Sequence, residues 1–160
     1  MKNGFRVNES YFQKIYEPER KLTASAIKET RADIIVLQEV ESMDSLKTFK
    51  ARFLKGKTYD YKYKMVIDAN DPRLIDVAVL SKIPFNTVKT HQFIRTKNNR
   101  AYVFSRDCLE VNFMIKGKPL TIYVNHFKSM MGGRKETSAR RKIQAENVRD
   151  IIKERFGTNP

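Results

Sequence analysis

One stretch constrains this chain more than any other: Ala32-Asp33-Ile34-Ile35-Val36-Leu37-Gln38-Glu39-Val40-Glu41. Four large apolar residues run unbroken, and Ile34, Ile35 and Val36 are β-branched. That predicts a strand over 33–38 that is buried on both faces. Glu39 then falls where the strand leaves the core. A carboxylate there can be desolvated on one side and open on the other, which suits a hard-metal ligand. On spacing alone, a cap or an edge ion pair is the plainer reading of Glu39.

The other elements follow from periodicity and punctuation. Residues 10–16 are polar-aromatic and predict a short helical turn. Pro18 suits the first turn of a helix running to Thr30, with Leu22, Ala26 and Ile27 on its apolar side. Asp44 is placed to cap a second helix over 45–54, with Leu46, Phe49 and Phe53 inward. Strand patterns return at 61–67 and 74–80, around a turn at 68–72, and more weakly at 88–94. The stretch 95–100 is a basic loop. After Gly132 and Gly133, a helix over 137–156 carries Ala139, Ile143, Val148, Ile152 and Phe156 on one side, and Gly157 can end it. Mixed strands and helices place the chain in the α/β or α+β class, built on one largely antiparallel mixed sheet with flanking helices.

Two clean period-2 segments give the sharpest geometric inference. Leu109, Val111, Phe113 and Ile115 alternate with polar residues, as do Leu120, Ile122 and Val124, with Lys116-Gly117-Lys118-Pro119 between them. If the turn centres near Gly117, residue 126 lies opposite 108 or 109. Arg106 is then about two residues, roughly 7 Å, further along. Arg106, Asn125 and His126 are thereby gathered at one end of the sheet. An arginine can hold a phosphate by a bidentate fork, and a histidine can act as general acid. Lys128, Arg134 and Lys135 follow and add positive field. A surface histidine and an Arg106–Asp107 edge pair explain the same residues without a site. His91 has no such company, and Cys108 has no motif of a nucleophile around it. Asp76, inside an apolar run, must be paired, with Arg73 near enough in sequence to serve. Asp68 and Asp71 suit a turn, and Arg140-Arg141-Lys142 suits a solvated helix face.

Charge narrows the partner. The 160 residues carry 32 Lys+Arg against 18 Asp+Glu, a formal charge of +14. That field favours polyanions: nucleic acid, phosphorylated substrates or an anionic membrane surface. No apolar run is long enough to span a bilayer, and Met1-Lys2-Asn3-Gly4-Phe5 lacks the apolar core of a secretion signal. Cys108 stands alone, so no internal disulfide forms. Compartment and oligomeric state are not legible.

Four segments occur in a telling order: Leu37-Gln38-Glu39-Val40-Glu41, Arg73-Leu74-Ile75-Asp76-Val77-Ala78-Val79-Leu80-Ser81-Lys82, Phe104-Ser105-Arg106-Asp107-Cys108-Leu109-Glu110-Val111 and Val124-Asn125-His126-Phe127-Lys128-Ser129. Together they resemble the endonuclease/exonuclease/phosphatase superfamily, the deoxyribonuclease-I-like fold, and its bacterial nuclease-like members in particular. The resemblance implies part of a four-layer α/β/β/α sandwich and a magnesium-dependent phosphoester hydrolase. It implies that Glu39 ligates the metal and takes part in catalysis, and that His126 contacts the scissile phosphate and assists proton transfer. It implies that Arg106 grips a backbone phosphate, with Asn125 and Lys128 in support. Arg73 and Asp76 match a recurring pattern without an assigned role.

The departures shape the remaining expectations. The family opens on a strand bearing an active-site asparagine, a context Asn3 and Asn8 lack, and it continues past the long helix to Gly-Asp-x-Asn and an Asp-His pair. Residues 1–160 are therefore expected to be the first part of such a domain, inactive alone, with the second sheet missing. One sheet face would then lie bare. A few hundred Å² of it would cost on the order of 10 kcal/mol, leaving a marginal fold. The expected function is cleavage of nucleic-acid phosphodiester bonds. The alternatives are a lipid or inositol phosphatase of the same superfamily and a non-catalytic basic nucleic-acid-binding module.

Overall fold

The computed structural model describes residues 16–157. The order is α1 (Glu17–Thr30), β1 (Ile34–Val40), α2 (Met43–Phe53), β2 (Tyr63–Ile67), β3 (Asp76–Ser81), β4 (Thr87–Lys89), β5 (Cys108–Ile115), β6 (Lys118–Asn125) and α3 (Arg134–Phe156). The helical turn expected over 10–16 falls, up to residue 15, outside the described residues, as do Asn3 and Asn8.

The expected α+β class is met, but the strands do not form one mixed sheet. They form two antiparallel three-stranded sheets, β1-β3-β2 and β4-β5-β6. Period-2 alternation explains how they stack. Val77 and Val79 of β3 point one way, into a shared core with Leu109, Val111 and Phe113 of β5 and Val124 of β6. Ala78 and Leu80 point the other way, toward Ala24 and Ile27 of α1 and Leu46 of α2. The second sheet turns its outer face, with Cys108 and Tyr123, to Val148 and Ile151 of α3. The layers are thus helices, sheet, sheet, helix. The apolar face expected to be bare is covered from within the described residues, and α3 sits on the opposite outer face from α1.

Several expectations need correction. β1 is an edge strand among the described residues and leaves Val36 48% exposed. The strand buried on both faces is β3, all six of whose residues are buried. α2 is capped by Ser42, whose side chain accepts the Ser45 N–H, two residues before Asp44. Leu22 and Ala26 of α1 face solvent, while Ala24 and Ile27 face the sheet. In α3 the buried positions are Thr137, Gln144 and Ile151, seven apart, and Ile143 and Phe156 stay exposed. The weak strand of 88–94 shrinks to β4.

The β5–β6 hairpin closes more tightly than expected. Ile115 pairs with Lys118, so Cys108 lies opposite Asn125. The two-residue turn has φ 50° at Lys116 and 76° at Gly117. Positive φ at both central residues matches the twist of the flanking strands, and glycine takes it without a Cβ penalty.

Candidate active site

The site begins with a fault in the first sheet. Leu37 pairs with Ala78 but Val40 pairs with Asp76, so β1 carries one extra residue between them. Glu39 takes up that bulge with φ 58°, a left-handed conformation uncommon outside glycine. The bulge turns the Glu39 carboxylate out of the sheet, where it is 69% exposed. Gln38 beside it donates from Nε2 to the Asn125 carbonyl at 2.6 Å and ties the end of β1 to the end of β6. The next residue on that side, His126, lies with Nε2 3.7 Å from Glu39 Oε1. Glu39 and His126 therefore share one end of the sandwich, from different sheets. At that separation they are an electrostatic pair and not a hydrogen bond.

Behind them lies a buried ionic knot centred on Asp71. The Arg73 side chain donates to Asp71 from Nε and Nη2, at 3.0 and 2.8 Å, and Arg106 Nη1 donates to the same carboxylate at 3.1 Å. Burial alone would raise the Asp71 pKa. The Arg73 hydrogen bonds and charge, joined by Arg106, outweigh it and bring the carboxyl down to about 2. Arg106 also donates from Nη2 to the Phe127 carbonyl at 2.7 Å. It is 4% exposed, so it does not offer solvent the open phosphate fork that its motif suggests. Its partners are Asp71 and the chain just after His126, and neither is Asp107. Arg73, by contrast, is anchored at one edge and 59% exposed. The Asp71 hydrogen bond raises its pKa, and the Asp71 and Glu39 charges add to that against burial.

His126 feels this surrounding charge. Burial lowers its pKa first and the Arg106 guanidinium lowers it further, while Glu39 and Asp71 push upward without overcoming them. The ring is held toward its neutral form. Its Nδ1 is buried without a hydrogen-bond partner among the described residues, and so is Asn125 Oδ1. Lys128 does not reach this group: its Nζ bends back to Ser129 Oγ and the Met131 carbonyl, each at 3.4 Å. Asp76 accepts the Ala69 N–H at 3.0 Å and is buried. Cys108 is buried, and burial followed by the Asp107 charge pushes its thiol to about 12, so it is inert.

Asp71 and Gln38 are the members that sequence reading passed over. Asp71 sits in a stretch whose composition says only turn, and its two arginines lie 2 and 35 positions away. Gln38 carried a signal only through its place beside Glu39 at the strand end.

A model of the endonuclease/exonuclease/phosphatase family matches residues 6–160. The chain belongs to that family. No curated protein sequence matches it. Among solved structures, truncated Caenorhabditis elegans TDP2 is similar in fold, with a TM-score of 0.52 at 21% identity, covering 88% of this chain and 51% of that one. TDP2 from C. elegans is similar with the same TM-score of 0.52 at 20% identity, covering 88% of this chain and 39% of that one. The chain therefore spans about half of the first of these structures and 39% of the second.

The endonuclease/exonuclease/phosphatase family generally uses a divalent metal. Among the described residues, no group of three or more His, Cys, Asp and Glu is gathered as a metal cage. The side-chain groups that meet at this end are the exposed Glu39 carboxylate and the His126 ring. An exposed carboxylate of this kind suits a hard divalent cation that keeps several of its waters.

Proposed function

We infer that the Glu39–His126 end of the sandwich is part of the catalytic centre of a metal-dependent phosphodiesterase that cleaves nucleic acid. The observation that carries the reading is the meeting of Glu39 and His126 at 3.7 Å, from two sheets, against a buried arginine. Glu39 would hold the divalent ion. When bound, the ion would supply positive charge to phosphoryl oxygens. His126, held toward its neutral form, donates a hydrogen bond from Nε2–H to a phosphoryl oxygen and so supports the charge that develops there. Burial and then the Arg106 charge hold the ring toward its neutral form, and Arg106 fixes the chain at Phe127. Arg73, being exposed, takes the phosphate-gripping role that its motif left unassigned. The charge of +14 favours a polyanionic substrate over a neutral one.

The test is hydrolysis of DNA and RNA oligonucleotides with magnesium by the full-length protein, against an inositol polyphosphate as competing substrate. Glu39→Ala and His126→Ala should each lower oligonucleotide cleavage by about 10²–10³-fold. Arg73→Ala should raise KM more than it lowers kcat. Full activity in Glu39→Ala, or preferred hydrolysis of the inositol polyphosphate, would overturn the reading.

A further inference from the structure

The chain between β4 and β5 holds a feature that the catalytic reading does not use. Residues 93–102 read Phe-Ile-Arg-Thr-Lys-Asn-Asn-Arg-Ala-Tyr, with three cations and no carboxylate. They fold into a small hairpin. Arg95 bridges to Tyr102, Thr96 N donates to the Ala101 carbonyl at 2.9 Å, and Val103 N donates to the Ile94 carbonyl at 2.8 Å. Asn99 makes the tip with φ 56° and donates to the Thr96 carbonyl at 2.7 Å. Lys97, Asn98, Asn99 and Arg100 are all exposed. Phe93 is 66% exposed. The Arg95 guanidinium stacks over the Tyr102 ring, 4.3 Å from its centroid.

The hairpin is anchored to the candidate active site. Asn70, the neighbour of Asp71, donates from Nδ2 to the Gln92 and Phe104 carbonyls at the hairpin's two ends, at 2.8 and 3.3 Å. Gln144 of α3 donates to the Val103 carbonyl, and Arg140 donates to the Tyr102 carbonyl. Arg141, next on α3, donates to the Ser129 carbonyl in the loop that follows His126. The same short run of α3 thus holds the hairpin beside the catalytic loop. These arginines, expected to be a solvated face, serve as clamps.

We propose that the 93–102 hairpin is a platform for single-stranded nucleic acid leading to the Glu39–His126 centre, with Phe93 and the Arg95–Tyr102 stack receiving unpaired bases. The proposal rests on the nuclease reading for its choice of partner. An exposed aromatic face and a stacked guanidinium bind the π-faces of bases regardless of sequence, and flanking cations follow the backbone. A base inside a duplex has both faces covered by its neighbours and cannot use such a platform. A second copy of the chain would bring the same three cations against these, so like charge opposes self-association here.

The test is fluorescence anisotropy with a labelled oligothymidylate of about 15 nucleotides and a blunt duplex of equal length, in chelator so that nothing is cleaved. The protein should prefer the single strand. Phe93→Ala should weaken single-strand binding about tenfold while changing duplex binding less than about twofold, and Phe93→Tyr, which keeps the π-face, should restore it. Lys97→Ala with Arg100→Ala should flatten the salt dependence of binding by about one to two in log–log slope. Because Phe93 is exposed, its variants should melt with the wild type. Equal loss on both probes, no loss in Phe93→Ala, or no preference for the single strand would each overturn the platform. Cleavage with magnesium is read separately. Its absence in the full-length protein, beside a Phe93-dependent single-strand preference, would remove the nuclease reading and leave the platform standing.

Discussion

Glu39 and His126 interact by charge across 3.7 Å, and that makes a clean measurement possible. Glu39 pushes the His126 pKa up, against burial and Arg106. Glu39→Gln should therefore lower it further, readable as a downfield-to-upfield ring-proton titration by NMR; a rise would mean that the carboxylate does not face the ring. Asp71 gives a second prediction. Its folded pKa of about 2 lies below the ordinary 3.8, so its stabilisation is fully present above about pH 4 and is lost as pH falls through about 2. Near two pKa units correspond to about 2 kcal/mol. Between pH 5 and pH 2, wild type should lose about that much more stability in urea than Asp71→Asn does. Glu39 and His126 were legible because each sits next to an apolar strand run. Asp71 was not, since turn composition conceals a carboxylate whose partners come from elsewhere in the chain.

Among the elements, α3 shows how far periodicity carries. Its existence and its glycine end are plain in the sequence, and Gly157 closes it with φ 77°. Its inward face is not, because buried positions Thr137 and Gln144 are polar. Thr137 donates from Oγ1 to the Gly133 carbonyl at 2.6 Å. Gln144 accepts the Lys128 N–H at 2.8 Å and donates to the Val103 carbonyl at 3.2 Å. A hydrophobicity count assigns such residues to solvent, and only the loops that they hold reveal their role. Gln144→Leu would keep the volume and leave two backbone groups unpaired in a buried place. A loss of about 2–3 kcal/mol in urea denaturation is expected, with faster hydrogen exchange at Lys128. A neutral Gln144→Leu would show that these bonds do not hold the loops.

For the whole molecule, the decisive fact is that the two sheets cover each other. Phe113 is 1% exposed and meets Phe85 edge-on at 5.8 Å, and Phe85 meets Tyr63 of the first sheet at 6.1 Å. Phe113→Ala should cost about 3–5 kcal/mol and lower a single cooperative melting transition; two separate transitions would mean that the sheets do not share a core. The sequence by itself determined the strands, the helices, the hairpin and the four segments of the family, because period, turn chemistry and charge are local properties. It could not say how many sheets those strands would make. Alternation shows that a strand has two unlike faces, not which distant strand lies opposite each. That pairing, the bulge that aims Glu39 at His126, and the knot that buries Arg106 while exposing Arg73 arise only when segments far apart in sequence are brought together, and so only the tertiary structure decided them.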